Sequence, residues 1–177
     1  RGMEAMDGPI NFGERDRWWG LVVEGFKPPI YLMNYNPAYY KDLFENYGFK
    51  VFFYQICWYL AVDTHLNEKF AEQSKKYNSL AEFSVKHIKK NNLEKFANDF
   101  CIVYNKAWAS HEGNKQMNKE VALKMFKSMK AAIDERLVWF VYHNDDPIAF
   151  WLNLPELNQI FKKFHGKFGL LEKLKFL

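Results

Sequence analysis

The sequence predicts an α+β fold, and three observations predict it. Residues 82–154 read as strand, helix, helix, strand, strand. A short helix over residues 37–47 carries both of its end signals. The β-branched and aromatic run 51–62 follows it directly. An apolar fraction of 49%, with 19% aromatic residues, is ample for a core and excludes a disordered chain.

Taken in order, residues 4–10 read as a short strand broken by the turn dipeptide Gly8-Pro9. Glu14-Arg15-Asp16-Arg17-Trp18-Trp19 reads as a solvated loop with Trp anchors, and residues 21–29 as an irregular lead-in ending in Pro28-Pro29. In the helix that follows, Asn36 stands as N-cap and Pro37 fits the first helical position, where its missing N–H costs nothing. Tyr40, Leu43, Phe44 and Tyr47 fall at i, i+3, i+4 and i+7, a stripe expected to pack on a sheet. Gly48 can take the left-handed conformation that closes the helix. The run 51–62 is apolar on both faces and predicts a strand covered on both sides. Residues 66–77 predict a polar surface helix. Tyr77-Asn78-Ser79 then reads as a linker, dividing the chain into 1–78 and 79–177.

Beyond it, residues 82–89 alternate as a strand does. Asn91 or Asn92 caps a helix whose stripe is Leu93, Phe96, Ala97, Phe100, Tyr104, Ala107 and Trp108. Asn118 caps a second helix with Val121, Ala122, Met125, Phe126 and Met129 on one face. Residues 137–142 and 148–154 are strands joined through Asn144-Asp145-Asp146-Pro147. So short a connection permits only an antiparallel pair. Pro155 opens a last short helix with Leu157, Ile160, Phe161 and Phe164, closed by Gly166.

The unit at 36–49 resembles the closing helix of the GNAT superfamily of acyl-CoA-dependent N-acyltransferases. That family's loose pattern is Asn-x-x-Ala-x-x-x-Tyr-x-x-x-Gly-Phe followed by a strand. Aligned on Gly48-Phe49, its Tyr falls on Phe44 and its Ala on Tyr40, with Asn36 one residue early. The longer context is Gly8-Pro9-Ile10-Asn11, Gly20-Leu21-Val22-Val23-Glu24-Gly25-Phe26, Pro28-Pro29 and Asn34-Tyr35-Asn36-Pro37. It is similar to bacterial proteins with two GNAT-like domains in tandem, and covers nearly the whole chain. The resemblance implies a mixed sheet flanked by helices. Residues 1–78 would be the closing half of one such domain and 79–177 the opening half of a second. An ordinary α+β domain without that ancestry is the alternative.

The resemblance implies acyl transfer from acetyl-CoA or another acyl-CoA to an amine on a small molecule or peptide. The family grips the CoA pyrophosphate with a Gln/Arg-x-x-Gly-x-Gly/Ala loop at a helix N-terminus. No such loop occurs among these 177 residues. By the family's order it would lie before Arg1 and after Leu177. The opening Arg1-Gly2 and the closing Lys175-Phe176-Leu177 likewise read as an excerpt. The family's closing-helix Tyr often protonates the departing thiolate, for which a phenol is a suitable acid. Phe44 stands in its place, so Tyr39 and Tyr40 are the candidate catalytic residues. Tyr39, off the apolar stripe, is the better placed for a ligand. Asn36, Trp108 and His111 are the candidate substrate-binding residues, the last two near a helix end that borders the acceptor in GNAT folds. A scaffold that has lost its chemistry is the alternative, and Phe44 hints at it.

Other chemistries find no motif. His65, His87, His111, His143 and His165 are scattered, and Lys115 stands where His111-Glu112 would need a second His for zinc. No metal site is expected. A formal charge of +4 suits an anionic ligand but is too small to argue for nucleic acid. No apolar run reaches the roughly 20 residues of a membrane span, and no secretory signal is visible. Cys57 and Cys101 lie in apolar runs and read as buried free thiols. These features together predict a cytoplasmic location. The oligomeric state is left open.

Overall fold

The computed structural model describes residues 2–9, 20–61, 63–108 and 116–176. The fold is α+β. Among the described residues the order is α1 (Tyr40–Tyr47), α2 (Glu68–Asn78), β1 (Phe83–His87), α3 (Leu93–Trp108), α4 (Lys119–Ser128), β2 (Val138–His143), β3 (Asp146–Leu152), α5 (Asn158–Phe161) and α6 (Leu170–Phe176). The chain forms two compact units, residues 1–61 with 156–172 and residues 62–155 with 173–177.

The second unit is built on an antiparallel sheet in the order β1-β2-β3. Here strand, helix, helix, strand and strand follow one another as the sequence predicts. Every pairing among the described residues is antiparallel, where a mixed sheet was expected. Asn144 and Asp145 form the two-residue turn of the β2–β3 hairpin, both at positive φ, 47° and 67°. That is the geometry whose twist matches paired strands, and Asn and Asp tolerate it better than most residues. Asp146 and Pro147, expected in the turn, already belong to β3. Pro147 lacks an N–H for the ladder, and a register shift between Val141 and Tyr142 sits opposite it.

Alternation along β2 turns Val138, Phe140 and Tyr142 inward, where they are buried. The inner stripe of α3 meets them. Phe96 packs on Phe140 with ring centroids 5.1 Å apart, and Phe100 on Phe150 at 4.9 Å and on Phe126 of α4 at 5.6 Å. Asn118 caps α4 as expected, its Oδ1 accepting from the Glu120 N–H at 2.7 Å. Helix α2 is a surface helix capped by Asn67, and it contains Tyr77 and Asn78. The polar Tyr77-Asn78-Ser79 segment is therefore a helix end, not a linker.

In the first unit, α1 ends as its sequence dictates. Gly48 sits at φ 103°, its N–H donates to the Glu45 carbonyl, and the Phe49 N–H reaches back to the Phe44 carbonyl, each at 3.0 Å. The Phe44 and Phe49 rings close over this turn edge to face, 5.1 Å apart. The start of α1 departs from expectation. Tyr39, not Asn36, is the N-cap residue, and it makes no side-chain cap. The α1 stripe does not enter a core either. Phe44 is half-buried, while Tyr40, Leu43 and Tyr47 are exposed.

The strand expected over 51–62 is not formed. Residues 51–61 have no regular structure, and Phe52, Ile56 and Trp58 are exposed. β-propensity is realised only where a neighbouring strand completes the ladder, and among the described residues no pairing involves 51–61. Cys57 is consequently exposed, against expectation, whereas Cys101 is buried and its thiol is pushed up by that burial. Residues 4–9 also form no strand, and Ile10 and the loop at 14–19 lie outside the described residues.

Elsewhere in the first unit, polar side chains fasten backbone. The Glu156 carboxylate accepts from the Tyr31 N–H at 3.0 Å and the Asn158 N–H at 2.7 Å, and Asn158 Nδ2 donates to the Pro29 carbonyl at 2.9 Å. The helix predicted after Pro155 is α5, continued as a 3-10 turn over Lys162–Phe164 and ended by left-handed His165 and Gly166. Helix α6 was not foreseen.

Core truncation should separate the two kinds of apolar residue. Phe126→Ala should lower the unfolding free energy by about 3–5 kcal/mol. Leu43→Ala should change it by less than about 0.5 kcal/mol. Urea denaturation followed by circular dichroism measures both, and equal losses would place Leu43 in a core.

Candidate functional site

Asn36, Tyr39 and Tyr40 lie together in the first unit. Asn36 is buried, and both ends of its amide are engaged. Its Oδ1 accepts from the Val22 N–H at 2.8 Å, while Nδ2 donates to the Val22 carbonyl at 3.1 Å and the Pro37 carbonyl at 3.0 Å. Beside it, Asn34 Nδ2 donates to the Gly20 carbonyl at 3.0 Å. Two asparagines thus fasten the segment entering α1 to residues 20–22. Tyr39 and Tyr40 follow at once, edge to face with centroids 5.1 Å apart, and both are exposed. Their hydroxyls can meet a ligand from solvent, whereas the Asn36 amide is committed to the backbone.

Trp108 belongs to the second unit, exposed at the end of α3. One turn earlier, Asn105 clamps the Met117 backbone, accepting from its N–H at 2.7 Å and donating to its carbonyl at 3.1 Å. His111 lies outside the described residues, as does the Gly113 expected to end the helix. Phe44 is used by the closure of α1, its ring against Phe49.

Two features of the second unit escaped the sequence. The first is a polar cluster at the core's edge. Tyr142 donates its hydroxyl hydrogen to Asp99 Oδ2 at 2.6 Å, and the Lys95 ammonium donates to the same oxygen at 2.5 Å and to the Tyr142 hydroxyl oxygen at 2.7 Å. Burial, and then the Asp99 carboxylate, push the Tyr142 phenol well above its usual range. A useful general acid needs a pKa near the working pH, so this shift disqualifies Tyr142 as a proton donor. The cluster instead pins α3 to β2. Its sequence signal was Asp99, a carboxylate beside the apolar stripe, four residues after Lys95.

The second feature is a groove of about 800 Å³ between α2 and the sheet face turned away from α3. Phe70 and Tyr77 of α2 form one wall, and Phe83, Val85, Val141 and Ile148 form the floor. Gln73, Ser74, Asn78 and Ser84 supply polar atoms, and none of the lining side chains is charged. Cross-strand register continues the floor into the row His87, Trp139 and Trp151. His87 lies against Trp139 with centroids 3.6 Å apart, and its Nδ1 is enclosed without a hydrogen-bond partner. Only the alternation of β1 and β2 hinted at this floor. Among the described residues no three His, Cys, Asp or Glu side chains cluster as metal ligands would.

Comparison with known proteins finds one informative likeness. Over 168 residues the chain is 25% identical to the bacterial ceramide synthase of Caulobacter vibrioides (strain NA1000 / CB15N). The match covers 94% of this chain and 43% of that protein, so the chain spans less than half the length of the relative. No family model matches, and no solved structure matches. Among the described residues no helix is long and apolar enough to cross a membrane.

The Tyr142 assignment predicts an alkaline titration. An unfolded phenol titrates near 10, and the folded value lies above it. The contribution to stability is therefore fully present below that pH and lost as pH rises through the folded value. Ultraviolet titration of the folded protein should give the same phenolate absorbance rise for wild type and Tyr142→Phe, because Tyr142 is held protonated in the fold. A smaller step in the variant would show Tyr142 ionising in the fold.

Proposed function

We propose that this chain serves N-acyl transfer, within a GNAT-like architecture, from an acyl-CoA to the amine of a long-chain amino alcohol. The observation that carries the reading is the 168-residue likeness to a ceramide synthase. A ceramide is the amide of a fatty acid and a long-chain amino alcohol, so its synthesis joins acyl to amine. The pattern at 36–49 supports the same bond from a separate direction, through the family it resembles. At the coarse level the likeness suggests an acyltransferase.

In this chemistry the neutral amine attacks the thioester carbonyl carbon. A C–N bond forms, the C–S bond breaks, the amine loses a proton and the thiolate gains one. The protein's part is positioning, together with hydrogen-bond donors for the oxyanion. We assign Tyr39 as the donor to the thiolate and Tyr40 as its flank, because both hydroxyl-bearing rings are exposed side by side. In this reading Asn36 acts through the backbone it holds. The non-catalytic alternative draws on Phe44, whose ring closes α1 where the family offers a hydroxyl.

The test uses the protein as encoded, with palmitoyl-CoA and a long-chain amino alcohol. Amide is followed by mass spectrometry and free CoA by thiol release. Wild type should form amide in step with thiol, and Tyr39→Phe should slow turnover by about 10²-fold or more, the usual worth of acid–base catalysis, with stability unchanged. Unaltered turnover in the variant removes Tyr39 from the site. No amide from the wild type favours the scaffold.

A further inference from the structure

We infer that the groove between α2 and the sheet holds the hydrocarbon chain of a long-chain acyl or alkyl ligand. The inference rests on the acyl-transfer reading for the class of ligand, and on the second unit for the site. Three observations select that occupant.

The first is charge. Among the described residues the chain carries many lysines and carboxylates, yet none lines this groove. A CoA phosphate, a nucleic acid or a charged peptide would find no counter-charge there, whereas an uncharged chain loses nothing by its absence.

The second is shape. The groove's volume of about 800 Å³ lies inside the range of roughly 300–1,000 Å³ typical of small-molecule sites. Its floor residues Val85, Val141 and Ile148 form a row across the three strands, an apolar strip of about 10 Å at roughly 4.8 Å between neighbouring strands, with Phe83 beside it on β1. A linear chain fits such a trough better than a globular ligand does.

The third is the distribution of polar atoms. Ser74 and Asn78 of α2, bonded to each other at 3.3 Å, offer a head group polar atoms, while Val85, Val141 and Ile148 offer only carbon. Val85 and Ile148 are about half exposed, at 49% and 47%, so an occupant would remove apolar surface from water. The floor extends to Trp139 and Trp151, so a longer chain would continue to meet apolar surface.

Hydrocarbon burial makes affinity depend on chain length, by up to about fourfold per methylene where burial is complete. The test is displacement of the fluorescent fatty acid cis-parinaric acid from the purified protein by fatty acids of increasing length. The variants are Val85→Lys and Ile148→Gln, in the groove, and Val121→Gln, an exposed apolar change on α4. Wild type and Val121→Gln should bind longer chains progressively tighter, and the two groove variants should lose at least tenfold for the longest. Circular dichroism on every variant confirms that the fold is kept. Affinity independent of chain length, or equal in groove variants and wild type, overturns the inference. So does a wild-type dimer that Val85→Lys dissociates while no fatty acid binds, since a second copy would then fill the groove. Chain-length-dependent binding lost in the groove variants, with no amide formed in the transfer assay, supports the groove and sinks the acyltransferase reading alone. Amide formation indifferent to chain length in wild type does the reverse.

Discussion

The second unit depends on Phe100. Its ring meets Phe126 of α4 and Phe150 of β3, and Tyr104 one turn along its own helix. Three elements distant in sequence are thereby fixed by one side chain, and most of the buried apolar residues gather around that meeting point. Local periodicity makes α3 and α4 possible, yet short helices gain most of their stability from packing an apolar face. The hairpin likewise needs a partner, because two strands alone are marginal. Burial around Phe100 supplies both requirements. It also settles which face of the sheet is covered and leaves the other to form the floor of the groove.

The cluster of Lys95, Asp99 and Tyr142 follows from that same packing. Bringing α3 onto β2 carries Asp99 out of water, which is tolerable only if its oxygens are bonded. Tyr142 and Lys95 do this from a strand and from the preceding turn of the helix. Such a cluster looks like a site, since burial and shifted titration often mark one. The direction of the shift decides otherwise, because it makes the phenol a weaker acid than free tyrosine. The hydrogen bonds and the effect of burial both point to a structural pin.

How much was legible in the sequence differs between the two units for a physical reason. In residues 82–154 local signals and tertiary packing agree. The Asn118 cap, the inward alternation of β2 and the Asn144-Asp145 turn each encode what packing also demands, so the elements could be read directly. In the first unit they disagree. Gly48 and Phe49 specify the end of α1 through bonds within a few residues, and that end was legible. The role of Asn36 was not, because its partner is Val22, fourteen residues away, and nothing local distinguishes an N-cap from a backbone clamp. The run 51–62 failed for a related reason, since a strand is a property of two segments. Of the candidate residues, the exposure of Tyr39 agrees with its place off the helix stripe, while Tyr40 is exposed although it lies on that stripe. The groove was missed, as its walls come from α2 and three strands whose contact is not a sequence pattern.

The manner in which each unit is held bears on what each can do. Aromatic packing holds the second unit together, and the groove's floor is part of that packed sheet. The first unit relies on side-chain bonds to backbone, Asn36 to Val22 and Glu156 to Tyr31, with few buried apolar contacts. Bonds of that kind fix the direction of a segment without filling space around it. Tyr39 and Tyr40 are therefore aimed but not enclosed. Burial, by contrast, makes the enclosed Tyr142 phenol a weaker acid.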